Sequence, residues 1–171
     1  MKIRTIVLCV CLFMVLGMDV NAQPKEVTES VTTTYYATPK VVPMGEASAG
    51  MSYDAIGLTV SDTGQGLFHQ ASVRVVGSLR IEKGKWNDEH ASLVWNLLDG
   101  DKVFAIVNGT GQMGKPGEVG IAKGTVTFIG GTGKCSGIEG TFEYTRYSLP
   151  KAAIDGIIQG YVKANIKYKL P

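Results

Sequence analysis

The feature that most constrains the fold is an alternation of apolar and polar residues between His69 and Ile81. The odd positions of this stretch are mostly apolar and the even positions are mostly polar. Side chains of a β-strand point alternately to the two faces of a sheet, so a period of two predicts a long strand with one buried and one solvated face. Residues 158–170 repeat the pattern, and the chain therefore contains at least two long amphipathic strands.

Glycine is the residue that most often separates one apolar run from the next. The chain has 22 glycines and only 6 prolines, a pattern typical of the turns and bulges of an all-β domain. In "SLVWNLLDGDKVFAIVNG" two apolar runs meet at Asp99-Gly100, a pair that favours the positive φ angles of a tight turn. We therefore predict a hairpin there. A proline and a glycine bound "LPKAAIDG" (149–156), which leaves room for a helical turn or two.

These patterns predict about eight strands, near 45–50, 53–60, 69–82, 92–98, 102–109, 120–130, 139–147 and 157–169. Long strands with one buried face favour closure of the sheet, because closure removes unpaired edges. The predicted fold class is all-β, a single eight-stranded antiparallel β-barrel of calycin-like shape. The interior of such a barrel is filled by side chains or holds one small ligand.

The N-terminus has the three regions of a secretory signal peptide. Lys2 and Arg4 precede an apolar run that ends in small residues at Ala22. Asp19 keeps this run shorter than the about 20 apolar residues of a membrane anchor. We expect a cleaved signal peptide over 1–22 and a secreted or periplasmic protein; an uncleaved anchor or a buried first helix is the alternative.

Removal of 22 of the 171 residues would leave 149, a usual size for one domain. Residues 23–40 are rich in Thr, Pro and charge, so we predict a flexible segment there, although "VTTTYYA" is also able to pair as an edge strand. The barrel domain is then expected over 41–171.

Composition argues against several classes of partner. The formal net charge is +2 and there is no basic stripe, so no nucleic-acid partner is expected. Cys9 and Cys11 would leave with the signal peptide, so Cys135 is left without an internal disulfide partner or a cysteine metal cluster. It is interpreted as a small loop residue, with an intermolecular bridge as the alternative. Asn108 begins an Asn-Gly-Thr glycosylation sequon.

The stretch "FIGGTGKCSGIEGTFEYTRY" (128–147) resembles a phosphate-binding loop only superficially. The P-loop pattern fails because position 128 is Phe and position 135 is Cys. A phosphate loop also needs a following helix whose N-terminus binds the phosphate, whereas "IEGTFEYTRY" is β-branched and aromatic. We therefore predict a barrel turn, no nucleotide partner and no cofactor.

The same stretch resembles the strand–GGTG–strand signature of the allene oxide cyclase and dirigent superfamily. Gly130-Gly131-Thr132-Gly133 and Gly140 match the signature, whereas Cys135 stands where an aromatic residue is usual. The resemblance is strong over about 20 residues and extends loosely to small secreted bacterial proteins of unknown function. It implies an eight-stranded barrel with a largely apolar cavity, and a homo-oligomer, as in plant members. No catalytic residue of the family matches a position here.

Arg146 is the most informative polar residue of the candidate cavity. In "GTFEYTRY" it shares the even face with Phe142 and Tyr144, so we expect that face to point inward and Arg146 to lie at the barrel mouth. Burying an unpaired guanidinium is costly, so the residue needs an acidic partner or an anionic ligand. The predicted cavity residues are Arg146, Tyr144, Phe142, His69, Trp95 and Tyr168.

The histidines carry little chemistry of their own. His69 begins the apolar face of its strand and is expected at one rim, bound by a backbone partner or facing the cavity. His90 lies in "WNDEH" beside Asp88 and Glu89, where consecutive side chains point in different directions, so we expect a solvated turn and no metal site.

Three functions remain open. The first is an exported barrel that binds a small apolar or amphipathic molecule, including a carboxylate. The second is an enzyme or guide protein of the cyclase or dirigent kind that orients a reactive substrate in the barrel. The third is a structural barrel with a filled core and a functional outer surface.

Overall fold

The computed structural model describes residues 26–171. Each strand pairs antiparallel with the next in sequence and the last pairs with the first, which closes the sheet into a barrel. The predicted all-β, eight-stranded antiparallel barrel is confirmed. The predicted signal peptide, 1–22, lies outside the described residues. The strands are β1 Glu26–Gly45, β2 Ser48–Ser61, β3 Ala71–Glu82, β4 Lys85–Asn96, β5 Lys102–Gln112, β6 Gly120–Gly131, β7 Thr141–Ser148 and β8 Ile158–Lys169.

Strand β1 corrects the prediction for the N-terminal segment. Residues 26–40 were expected to be flexible, with the barrel starting at residue 41, but they form most of β1 and pair with both β2 and β8. The β-branched and aromatic run supplies an inward face on which Val31, Tyr35 and Ala37 are buried. Burial of this face outweighs the local preference of Thr, Pro and charged residues for irregular structure.

Other boundaries also differ from the prediction. The two short strands expected over 45–50 and 53–60 are one strand, β2, which pairs with β3 along its whole length except the last two residues. The segment 149–156 is not a helix but a series of bends and a turn. No helix in the described part of the chain has the length and apolar character needed to cross a bilayer.

The distal half of β1 is an edge rather than part of the closed wall. Its pairing with β8 ends at Ala37, whereas its pairing with β2 continues to the hairpin turn. Pro39 and Pro43 lie in this part of β1, which pairs with β2 on one side and has no partner on the other. Because proline has no backbone N–H to donate, it is tolerated at a sheet edge and makes that edge a poor template for further strand pairing.

The alternation that predicted β3 is confirmed from Ala71 onward. Ala71, Val73 and Leu79 are buried, while the even-numbered residues Ser72 to Ser78 are exposed. His69 does not belong to the strand: Gln70 adopts a positive φ of 58°, which ends the preceding loop. The sequence pattern therefore began two residues before the strand itself.

Residues 62–70, the connection from β2 to β3, fold into one end of the barrel and are called the plug below. Phe68 at its tip has no exposed surface. Its ring centroid lies 4.9 Å from that of Trp95, 5.6 Å from that of Tyr168 and 5.9 Å from that of Phe128. This aromatic cluster closes the end of the barrel at which β2, β4 and β6 finish.

The plug is held in place by a buried carboxylate. Glu29 of β1 accepts hydrogen bonds from the backbone N–H of Leu67 at 2.5 Å and of Phe68 at 3.2 Å. The hydroxyl of Tyr168 donates to the same carboxylate at 2.9 Å. Because Glu29 supplies acceptors for backbone donors that the loop cannot satisfy itself, it allows Phe68 and its backbone to be buried.

The glycine-rich stretch is a barrel turn, as predicted. It connects β6 to β7 through a single 3-10 turn at Gly133–Cys135, and no longer helix follows it. Its backbone N–H groups are used internally: those of Thr132 and Lys134 donate to the carbonyl of Lys102 at 2.9 Å and to the carboxylate of Asp101 at 3.0 Å. The loop is thereby tied to the β4–β5 turn, and the buried Cys135 thiol packs beneath it.

The hairpin predicted at Asp99-Gly100 is confirmed. Gly100 has a φ of 92°, and the backbone N–H of Leu97 donates to the carbonyl of Asp101 at 2.9 Å. The Asp99 carboxylate pairs with the ammonium group of Lys134 in the neighbouring loop. Two turns that are distant in sequence therefore support each other at the plugged end.

Replacement of Gly133 by valine should destabilise the barrel. Gly133 has a φ of 52°, and a Cβ there would overlap the Asp101 carboxylate. We expect a loss of about 1–3 kcal/mol in the free energy of unfolding, the usual cost of a strained backbone residue. Gly50→Val is the matched control, because the nearest atom to a Cβ at Gly50 is 3.6 Å away. Equal urea midpoints for the two variants would contradict this interpretation of the loop.

Candidate functional site

A cavity of about 490 Å³ lies inside the barrel, between the aromatic cluster at the plug and the opposite rim. All eight strands contribute to its wall, which is mostly branched aliphatic and aromatic. At the rim it is bordered by exposed residues of the β5–β6 and β7–β8 loops, including Lys115, Pro116 and Pro150. Pockets that hold small molecules usually measure about 300–1,000 Å³, so the cavity has room for one such ligand.

Four of the six residues predicted for the cavity line it: Arg146, Tyr144, Phe142 and Trp95. The prediction that the even face of β7 points inward is therefore confirmed. The other two residues lie at the plugged end. Tyr168 is buried and bonded to Glu29, and the half-buried His69 belongs to the plug, so placing either in the cavity wall was wrong.

Arg146 has an acidic partner inside the barrel. Its two terminal nitrogens donate to the two carboxylate oxygens of Glu89, at 2.6 Å from Nη1 to Oε1 and 3.0 Å from Nη2 to Oε2. Glu89 has no exposed side-chain surface, and that of Arg146 is 16% exposed. Of the two roles considered for Arg146, the structure therefore provides the ion pair.

Two further donors complete the coordination of this carboxylate. The hydroxyl of Tyr53 donates to Oε1 of Glu89 at 2.5 Å, and the indole N–H of Trp86 donates to Oε2 at 3.2 Å. The guanidinium carbon of Arg146 also lies 5.9 Å from the centre of the Trp86 ring. Glu89, Arg146, Tyr53 and Trp86 are called the Glu89 cluster below.

A β-bulge in β4 is what brings Trp86 and Glu89 to the same side of the wall. Trp86 pairs with Gly111 and Glu89 with Gly109, so β4 advances three residues while β5 advances two. In a regular strand these two side chains would point to opposite faces. Outside the barrel, the carboxylate of Asp88 in the bulge accepts a hydrogen bond from the backbone N–H of Arg80 at 3.0 Å.

The stretch "WNDEH" is therefore a bulged strand, and the expectation of a solvated turn was wrong. His90 is exposed on the outer face, where its Nδ1 lies 2.6 Å from the side-chain oxygen of Asn108. Within residues 26–171, no three His, Cys, Asp or Glu side chains are grouped as metal ligands would be. The bulge instead places Trp86 and Glu89 together on the inner face of the barrel.

Glycines opposite the cluster leave the space that its large side chains occupy. A Cβ at Gly77 would lie 2.6 Å from the hydroxyl oxygen of Tyr53, and a Cβ at Gly109 would lie 3.0 Å from Oε2 of Glu89 and overlap the hydroxyl of Tyr144. A Cβ at Gly111 would overlap the Trp86 ring. None of the three adopts a positive φ, so they are required for close approach rather than for backbone conformation.

Replacement of Gly109 by alanine should therefore disturb the cluster. The added methyl group would have to displace the phenol of Tyr144 or the carboxylate of Glu89. We expect a loss of about 1–3 kcal/mol in the free energy of unfolding, the usual cost of overpacking. Gly50→Ala, where the methyl group has space, is the control. A Gly109→Ala protein as stable as the control would show that the cluster is not tightly packed.

The titration behaviour of the cluster favours charged Arg146 and neutral phenols. Burial by itself disfavours the guanidinium, but the adjacent Glu89 carboxylate outweighs this and raises the pKa of Arg146 above its usual range. Burial, and then the negative charge of Glu89, raise the pKa values of Tyr53 and Tyr144 well above the ordinary value. The cluster is thus a neutralised ion pair beside protonated tyrosines at neutral pH.

The polar chemistry that the wall offers is hydrogen-bond donation. A general base needs an accessible lone pair within hydrogen-bond reach of its substrate. The Glu89 carboxylate accepts four hydrogen bonds and has no exposed surface, so it does not meet that requirement. Arg146, in contrast, carries N–H donors and lines the cavity.

Sequence reasoning missed Glu89, Tyr53 and Trp86. A signal for Glu89 was present, because it shares its odd-numbered phase with Ala91 and Trp95, which are buried on the inner face of β4. The predicted strand began only at residue 92, which cut this phase short.

The comparisons with known proteins do not show a family for this chain. No family model, curated protein or solved structure matches the chain. The resemblance to the allene oxide cyclase and dirigent superfamily therefore stays a prediction from the glycine-rich turn.

Proposed function

We propose that this protein is an exported barrel that binds one small apolar or amphipathic molecule in its cavity. The observation that carries the proposal is the cavity of about 490 Å³, plugged by Phe68 at one end and bordered by exposed loops at the other. A barrel with a purely structural role gains stability by filling its interior, because voids forfeit packing contacts. An apolar cavity of this size supports binding over the filled-core alternative.

The enzyme or guide-protein alternative has less support. Orientation of a reactive substrate by shape alone is compatible with such a cavity. Acid–base catalysis by the buried carboxylate is disfavoured, because all of its hydrogen-bonding capacity is directed to Arg146, Tyr53 and Trp86. Binding of a ligand without chemical conversion requires only the apolar cavity wall and no catalytic group.

The protein contains its own reporter for this function. Its two tryptophans, Trp86 and Trp95, both line the cavity, so a molecule that enters it should change the intrinsic fluorescence. We expect a saturable change in emission on titration with 1-octanol. Native mass spectrometry of the exported protein should also show a co-purifying small molecule.

A cavity-filling variant supplies the control. Ala164 lines the cavity, so Ala164→Phe should abolish the fluorescence response. Ser72→Phe adds the same side chain to the outer face of β3 and should leave the response unchanged. A response that survives in Ala164→Phe, or no saturable response in the wild type to any apolar probe, would refute cavity binding.

A further inference from the structure

We infer that the open rim of the barrel is a docking surface for a lipid bilayer, with the mouth of the cavity turned toward the lipid. This role rests on the proposed function, because docking there gives an apolar ligand a direct route between the lipid and the cavity. Four segments make up the rim surface. They are the free edge and turn of β1 (38–47), the β3–β4 turn (83–84), the β5–β6 connection (113–119) and the β7–β8 connection (149–157).

Exposed apolar side chains are concentrated on the rim surface. Of the sixteen large apolar side chains that are exposed in residues 26–171, seven lie in its segments: Val41, Val42, Met44, Met113, Val119, Leu149 and Ile154. The connections at the plugged end, 62–70, 97–101 and 132–140, are similar in total length and contribute one, Leu98. A cluster of exposed apolar side chains marks a contact with a protein or a membrane.

The rim surface is continuous with the wall of the cavity. Met113 and Leu149 are exposed at the rim and also line the cavity. Val119 and Ile154 lie in the same two connections. An apolar molecule that crosses this rim from a bilayer would stay in contact with apolar groups, whereas a route through water would expose its whole apolar surface.

The charges of the two ends favour one orientation on a lipid surface. The rim surface has four lysines and three carboxylates, a net charge of +1. The three connections at the plugged end have one lysine and four carboxylates, a net charge of −3. An anionic bilayer therefore attracts the rim and repels the plugged end.

A bilayer fits this rim better than a second protein does. The apolar side chains are spread over separate connections around an opening, and a protein seated on all of them would cover the mouth. A fluid lipid surface accommodates separate side chains, which insert at the boundary between headgroups and acyl chains. Pro39 and Pro43 also make the free edge of β1 a poor partner for a strand from another protein.

Flotation with lipid vesicles tests the inference. We expect the wild type to float with vesicles of phosphatidylcholine and with vesicles that also contain phosphatidylglycerol. It should bind the second kind about fivefold more tightly, the effect of about one net positive charge. High salt should remove this difference and leave the apolar part of the binding, because salt screens exposed charges.

A pair of double variants makes the test specific to the rim. Met44→Ser/Ile154→Ser removes two apolar side chains that are 61% and 65% exposed and do not line the cavity. It should weaken vesicle binding by at least about tenfold and leave the fluorescence response to 1-octanol unchanged. Leu98→Ser/Ile129→Ser removes side chains that are 72% and 61% exposed at the plugged end, and it should leave vesicle binding within about twofold.

Three outcomes would overturn the inference while cavity binding stands. The first is a wild type that binds neither kind of vesicle, which would leave the rim to a protein partner. The second is an equal loss of vesicle binding in the two double variants. The third is a loss of vesicle binding in Ala164→Phe, because lipid would then be entering the cavity rather than contacting the rim.

Failure of the proposed function gives a different result. A wild type that floats with vesicles but shows no saturable response to any apolar probe would refute cavity binding and leave the docking surface.

Discussion

Replacement of Arg146 by methionine is expected to lower the free energy of unfolding by about 3–5 kcal/mol. The change removes the partner of Glu89 and leaves a carboxylate with no exposed surface buried as an uncompensated charge. The retained hydrogen bonds from Tyr53 and Trp86 are neutral and do not replace the guanidinium. Urea unfolding followed by circular dichroism measures the loss.

Two comparisons separate this effect from the general loss of an arginine. Arg74 pairs with Asp54 on the outer surface, where both side chains are about half exposed and screened by solvent, so Arg74→Met should lower stability far less than Arg146→Met. Adding Glu89→Gln to Arg146→Met removes the buried charge but keeps an acceptor for Tyr53, so the double variant should recover much of the loss. A loss below about 1 kcal/mol for Arg146→Met alone would contradict the buried pair.

Replacement of Phe68 by alanine should lower the free energy of unfolding by a similar amount. We expect a loss of about 3–5 kcal/mol, because the change removes a fully buried aromatic side chain. Phe68 has no exposed surface and contacts the rings of Trp95, Phe128 and Tyr168. Its loss would leave a void at the plugged end, next to one of the two tryptophans. Tryptophan emission should therefore shift in the folded protein, and the thermal midpoint should fall.

Leu98→Ala is the matched control for the plug, since Leu98 is 72% exposed in the β4–β5 turn at the same end of the barrel. That variant should change stability by no more than about 0.5 kcal/mol. If Phe68→Ala and Leu98→Ala unfold at the same urea concentration, the packing of Phe68 does not stabilise the barrel.

The Glu89 cluster is not required by the barrel fold itself. Well-packed apolar side chains often replace a buried ion pair without loss of stability, so a barrel of this kind does not need one to fold. Here Arg146, one partner of the pair, lines the cavity, whereas Glu89 is buried behind it.

Local patterns in the sequence were sufficient to predict the all-β class, the β3 and β8 strands, the Asp99-Gly100 hairpin and the inward face of β7. Each rests on a period of two or on turn chemistry, both of which act between neighbouring residues. The same reasoning placed Arg146 beside Tyr144 and Phe142 and required a partner for its charge. It could not name that partner, because Glu89 lies 57 positions away in the chain.

Only the tertiary structure decided which residues meet across the barrel. The bulge in β4 turns Trp86 to the same face of the sheet as Glu89. Residues 26–40 form a strand because β8 pairs with them on one side and β2 on the other. Tyr168 lies at the plugged end because β8 pairs there with the start of β1, and His69 lies there because Glu29 binds the backbone of Leu67 and Phe68. The alternation of a strand specifies which face a side chain occupies, whereas closure and register, set by hydrogen bonds between distant strands, determine what that face contacts.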